Sequence, residues 1–177
     1  MVDQSTALVR LGISFGLGFA LGFERELRGQ SAGLRTHILV CLGSCLFTLV
    51  SLFAEQPLGA DTHHEVRADI TRIASQVVVG IGFLGGGAIL RHGTSVRGLT
   101  TAANLWLTAS VGLAVGMGVP LLAVAGTGLA LFSLVGLRFL ERAIRRFRKK
   151  HGLIADRDLS SREPMGNDGD HKEKPQQ

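Results

Sequence analysis

The residues with reactive or ionic side chains fall in a few short clusters. Glu24-Arg25-Glu26 is followed by Arg28, and Arg35-Thr36 comes one short turn later. Far along the chain, Arg97 precedes Thr100 and Thr101. A carboxylate and several guanidiniums at one level can form ion pairs. They can also hold an ion, a headgroup or a partner protein, while Thr hydroxyls can cap helix starts. The spacing predicts a Glu24–Arg35 or a Glu24–Arg97 pair. Asp61, His63, His64 and Glu65 form a second cluster with the chemistry to hold Mg2+ weakly, although a solvated loop explains them as well. No nucleophile–base pair, metal-ligand quartet or phosphate loop is legible, so the expectation is a protein that is not an enzyme and has no tightly bound cofactor.

One motif misleads. Gly80-Ile81-Gly82-Phe83-Leu84-Gly85 fits the dinucleotide pattern G-x-G-x-x-G. That pattern also needs an acidic residue about 20 positions on. No Asp or Glu stands between Asp69 and Glu141. Gly80, Gly82, Gly85, Gly86 and Gly87 therefore read as sites of close helix packing, as do Gly12-Gly16 and Gly18-Gly22.

The elements that position these residues follow from where charge is missing. The chain has 177 residues, 46% hydrophobic and 19% charged, with 24 glycines. The 40 residues from Gly98 to Leu137 carry no charged side chain. Five apolar segments emerge: Ala7–Phe23, Thr36–Ala54, Ile73–Leu90, Thr101–Gly118 and Val119–Leu137, each 17–19 residues. Spanning the hydrocarbon core takes roughly 17–25 residues of helix. Backbone polar groups in lipid must pair internally, and no alternation suggests a barrel. The expected fold is an all-α polytopic membrane bundle of about five transmembrane helices, with the bilayer as first partner.

Loop charge orients it. Arg25, Arg28 and Arg35 fill the first loop, and Arg91 and Arg97 the third. The second is acidic on balance, with Glu55, Asp61, Glu65 and Asp69 against Arg67 and Arg72. Arginine-bearing loops stay inside, so the N-terminus is expected outside and the C-terminus inside. Residues 138–150 read as a basic juxtamembrane helix. Leu140, Ile144 and Phe147 share one face among seven Arg and Lys, which suits an anionic leaflet rather than nucleic acid. Residues 151–177 are too polar to bury a core and are expected to be disordered. The domains are thus 1–137, 138–150 and 151–177.

Within the spans, Asn104 and Gln76 are amides expected to hydrogen-bond across helices, with Asp69 and Arg72 at the outer end of the third segment. Trp106 lies too deep for an interfacial belt and is expected to pack. Cys41 and Cys45, four apart, are expected to pack as well. The stretches after Arg10 and after Arg72 echo one another, which suggests a parallel two-helix repeat.

Taken together, Glu24-Arg25-Glu26, Gly33-Leu34-Arg35-Thr36-His37, Asp69-x-x-Arg72-Ile73-Ala74-x-Gln76-Val77-Val78-x-Gly80-Ile81-Gly82-Phe83-Leu84-Gly85-x-Gly87 and Val96-Arg97-Gly98-Leu99-Thr100-Thr101-Ala102-Ala103-x-Leu105-Trp106 resemble the MgtC/SapB family of bacterial inner-membrane proteins. The resemblance runs in order over roughly residues 8–140. It implies a multi-pass inner-membrane protein linked to magnesium limitation and acid tolerance. Some members of that family act on the membrane ATP synthase. The virulence-associated MgtC proteins have Asn where Thr100 stands and Cys where Leu107 stands, and add a soluble C-terminal domain. This chain resembles the SapB type, without that domain. The expected function is a non-enzymatic factor in magnesium and acid-stress homeostasis that contacts another membrane complex. The alternatives are a Mg2+ or proton transporter or channel built as a homo-oligomer, and a structural bundle whose tail binds lipid.

Overall fold

The computed structural model describes residues 2–54 and 70–150. Its elements are α1 (Gln4–Leu27), α2 (Leu34–Ala54), α3 (Ile70–Gly87), β1 (Leu90–His92), β2 (Ser95–Arg97), α4 (Leu99–Gly116) and α5 (Pro120–Lys150). Four stretches are long and apolar enough to cross a bilayer: α1, α2, α4 and Pro120–Leu137 of α5. In α3 the described apolar run is shorter, Ala74–Gly87. At 1.5 Å per residue α1 is about 36 Å long, more than a hydrocarbon core of about 30 Å. The protein is a helical membrane bundle.

The chain divides into two units, Met1–Gly136 and Leu137–Gln177. In the first, α2 lies at the centre and packs on α1 and α4. Leu21, Cys41, Cys45, Leu49, Val111 and Val115 are buried in one cluster, which Ala123 and Ala130 of α5 join. A second cluster of Ala32, Ile81, Leu105 and Ala109 fastens α3 to α4. Phe15, Phe19, Leu39, Phe47, Phe83 and Leu121 point outward. In water such helices would be unstable, but an apolar outer surface is what lipid requires. In the second unit α5 runs on to Lys150, with Leu140 and Ile144 exposed. Residues 151–177, Asp69 and the Asp61–Glu65 cluster lie outside the described residues.

Two local devices set the ends of the helices. The helix of the first apolar segment does not stop at Phe23 but continues to Leu27, which takes Glu24 and Arg25 into its last turns. It closes with Gly29 at φ +61°. There Gly29 N–H bonds Glu26 O and Gln30 N–H bonds Arg25 O, the paired bonds of a Schellman motif. The third loop is a short antiparallel hairpin, not an irregular turn: Leu90 pairs with Arg97, Arg91 with Val96 and His92 with Ser95. Its two-residue connection, Gly93-Thr94, suits a tight hairpin. At the start of α1, the Ser5 hydroxyl holds the carboxyl of the N-cap residue Asp3 below its ordinary range.

Close packing rests on glycines that face a neighbouring backbone. A Cβ on Gly112 would sit 2.2 Å from Cys41 O, and one on Gly116 would sit 2.6 Å from Thr48 Cβ. Gly18 and Gly22 of α1 face α2 in the same way, 2.9 Å from Cys41 Cβ and Leu34 Cα. These small-xxx-small pairs let α1 and α4 approach α2 on two sides.

Candidate functional site

The α1–α2–α4 joint holds a run of buried polar groups. At one end stand Glu24, 8% exposed, and Arg25, 2% exposed. Glu24 Oε2 lies 3.7 Å from Arg25 Nη1, and Oε1 pairs with Arg28 Nε one turn on. Arg25 Nη2 donates to Gln30 Oε1 at 2.8 Å and to Thr101 Oγ1 at 3.3 Å, so one guanidinium ties α1 to α4. Its Nε has no hydrogen-bond acceptor among the described residues. One carboxylate serves two guanidiniums, which leaves the cluster with a net positive charge.

Further into the bundle, His37 is fully buried. Its Nδ1 lies 2.9 Å from Gly33 O, and its Nε2 lies 2.9 Å from Asn104 Nδ2. Thr108 Oγ1 donates to Asn104 O at 2.8 Å. Ser14 Oγ donates to Cys41 O at 2.9 Å, which joins α1 to α2. Thr48 Oγ1 satisfies Ser44 O within α2. At the far end Arg10 Nη1 donates to Gly116 O at 2.7 Å, where α4 terminates.

The expected site residues therefore separate. Glu24, Arg25 and Thr101 meet in one buried cluster, with Arg28 on its rim. Neither Arg35 nor Arg97 pairs with Glu24. Arg28 takes that place because i,i+4 neighbours on a helix are already adjacent. Arg35 is exposed in the first turn of α2, and Arg97 is exposed on β2. Thr100 is exposed, and Thr36 is half-buried beside a cavity of about 610 Å3 that Gly82, Gly86, Gly87, Ala88 and Leu105 also line. No Thr caps α4, whose N-cap is Gly98, and α2 is capped by Glu26, whose Oε2 accepts Leu34 N–H.

Asn104 makes the cross-helix bond expected of it. Gln76 is exposed on an open groove of about 700 Å3 between α2 and α3, shared with Val40, Phe47, Val77, Gly80 and Ile81. Arg72 is exposed in the first turn of α3. Of the five glycines in α3, a Cβ on Gly85 would lie 3.6 Å from Ala102 Cβ, whereas a Cβ on Gly80, Gly82, Gly86 or Gly87 would meet nothing within 4 Å. Trp106 is 50% exposed on the outside of α4, not packed within the bundle. Residue type and spacing give no role to His37 or Gln30, and place Glu26 in the first ionic cluster without assigning it a partner. For His37 the signal was present: an ionisable ring within an apolar run.

The MgtC family description matches residues 11–143. The chain is 43% identical over 143 residues to the protein slr0014 of Synechocystis, covering 81% of this chain and 57% of that one. It is 44% identical over 115 residues to YhiD of Escherichia coli K12, 65% of this chain and 53% of that one. With SapB of Bacillus subtilis it shares 37% identity over 140 residues, 78% of this chain and 58% of that one. It thus spans little more than half the length of these relatives. No solved structure matches it. From the matched span and these identities, the chain belongs to the MgtC family.

Proposed function

We propose that the chain is a multi-pass protein of the bacterial inner membrane, N-terminus out and C-terminus in. In this reading it is a non-enzymatic factor in magnesium and acid-stress homeostasis that acts by contact with another membrane complex. The ATP synthase is the candidate that the family resemblance brings. One observation carries the contact reading. At the end of the bundle where Glu24 and Arg25 are buried and tied to Thr101, Arg35 and Arg97 remain exposed. Buried charge locks the helices, and exposed guanidiniums suit the carboxylates of a partner. At the joint Gly112 and Gly116 bring α4 onto the α2 backbone. The basic stretch 138–150 adds attraction to anionic lipid.

The test is growth of a deletion strain in low Mg2+ at acid and neutral pH, complemented by wild type, Arg35→Ala or Arg97→Ala. Each variant protein should accumulate in the membrane as wild type does and fail to restore growth. Full rescue by both variants overturns the contact reading.

A second reading is Mg2+ or proton transport by a homo-oligomer. It is supported by the name of YhiD, which designates a candidate magnesium transporter, and by the exposed amide of Gln76 on the groove between α2 and α3. In that reading Mg2+ is cargo held weakly, not a resident cofactor. Purified protein in liposomes that passes neither Mg2+ nor protons overturns it.

A further inference from the structure

We propose that His37 and Asn104 form a proton-operated latch: the neutral imidazole holds α2 against α4, and a proton on Nε2 releases it. The inference goes beyond the homeostatic reading and does not depend on it.

Hydrogen-bond chemistry fixes the state of the ring. Gly33 O can only accept, so Nδ1 carries the hydrogen of their 2.9 Å bond. Nε2 of the neutral ring is then bare and accepts from the Asn104 amide at 2.9 Å. Both nitrogens are used, and the residue is fully buried. A second proton would set an N–H donor against the N–H donor of Asn104.

The surroundings offer that charge no partner. From α1 the facing charged groups are Arg25, itself a cation, and Glu24, already shared by Arg25 and Arg28. On α2 the titratable groups closest in sequence are Arg35, exposed two positions before, and the thiol of Cys41, one turn along; the one charged side chain of α3 is Arg72, exposed in its first turn. No charged residue lies between Gly98 and Leu137, so α4 contributes none. An unpaired charge among packed helices is costly, and opening the joint to water is the way to relieve it.

Opening has a built-in reporter. Cys41 is fully buried where α1, α2 and α4 meet: its thiol accepts from Ser14 Oγ of α1 at 3.3 Å, its Cβ faces Gly18 of α1, and its backbone O faces Gly112 of α4. In the open state α4 leaves the Cys41 backbone, and water and reagent enter the three-helix joint that holds the thiol against Ser14. In water an imidazole titrates near pH 6.5, so moving from pH 7.5 to pH 5 enriches the opened form about 30-fold.

The test uses the full chain in nanodiscs and 4,4′-dithiodipyridine, a disulfide that thiols attack even in acid. The rate at Cys41, located by peptide mass spectrometry, is divided by that of a free cysteine peptide at the same pH. With reclosing faster than labelling, the ratio follows the open population. It should rise about 30-fold from pH 7.5 to pH 5 in wild type and stay flat in His37→Gln, whose amide oxygen accepts from Asn104 without titrating. In Asn104→Ala it should be high at both pH values. An equal rise in His37→Gln, or none in wild type, overturns the latch. Should His37→Gln fail to fold, imidazole 15N shifts of the wild-type chain decide. A doubly protonated ring at pH 5 together with labelled Cys41 supports release. A ring still neutral at pH 5 overturns it. So does a doubly protonated ring over a protected Cys41, which would mean that the Asn104 amide had turned its oxygen to the proton and kept the joint shut.

Discussion

The carboxylate of Glu26 accepts the backbone N–H of Leu34 at 2.9 Å, so the last turn of α1 caps the first turn of α2. A helix start normally draws its cap from the residue just before it. Here the cap comes from eight positions back, across a six-residue turn closed by Gly29. Capping and connection are thus one device, and it fixes the angle at which α2 enters the bundle.

Glu26→Ala should cost about 1 kcal/mol, the usual worth of a lost cap. In a chain of this size that lowers the thermal midpoint by about 3 °C in detergent. Glu26→Gln keeps an acceptor oxygen and should fall between the two. An unchanged midpoint in Glu26→Ala would show that water caps α2 equally well.

Glu24 carries the same side chain two positions earlier and should behave differently. It is buried, and the guanidinium of Arg25 beside it is 2% exposed. Glu24→Ala leaves Arg25 with Gln30 and Thr101 but no carboxylate, and stranding a buried charge costs roughly 3–5 kcal/mol. The variant should lose its sharp monodisperse peak in size exclusion well before Glu26→Ala does. Removing Arg25 as well, as Glu24→Ala with Arg25→Leu, should recover part of the loss. Glu24→Ala that matches wild type would mean that Arg25 is hydrated.

The contrast marks what residue types alone disclose. Runs of uncharged residues announce the helices, because lipid leaves the backbone no other choice. Ionisable groups at depth announce a cluster, and Glu24, Arg25 and Thr101 do form one. Partner choice is different. It depends on which faces turn inward, and Arg28 displaced Arg35 and Arg97 by being local. His37 and Asn104 stand 67 positions apart, and nothing in their spacing brings them together. Asn104 declared that it needed a partner without saying which. Small-xxx-small pairs recur on several helices, yet Gly18–Gly22 and Gly112–Gly116 face protein while Gly82 and Gly86 do not. Lipid and protein are equally apolar neighbours, so composition cannot separate those faces.

That distinction is measurable. Gly112→Ala drives a methyl toward Cys41 O, a backbone atom that cannot swing away. Overpacking of this kind costs roughly 1–3 kcal/mol. Gly116→Ala, against Thr48 and Cys45 O, should behave alike. Gly82→Ala and Gly86→Ala meet open space and should be neutral or slightly stabilising, since Ala favours helix over Gly by about 1 kcal/mol. Thermal scans of the four proteins in one detergent give the ranking. Equal losses in α3 and α4 would place a second chain against the α3 glycines.

Trp106 offers the most direct check of where α4 lies. It is the chain's single tryptophan, half-exposed on the outside of the helix. As the eighth residue of α4 it stands about 10 Å from the helix start at 1.5 Å per residue. If α4 spans the bilayer, that side chain contacts acyl chains and not water. Phospholipids brominated along their acyl chains should therefore quench its fluorescence strongly, and aqueous acrylamide should quench it weakly. An indole facing water would give the reverse. The same measurement on Trp106→Phe carrying a new tryptophan at Leu129, which is 70% exposed in α5, extends the test to the next span. Strong acrylamide quenching at both positions would remove the helices from the membrane, and with them the physical reason for an apolar exterior on a bundle whose polar groups lie inside.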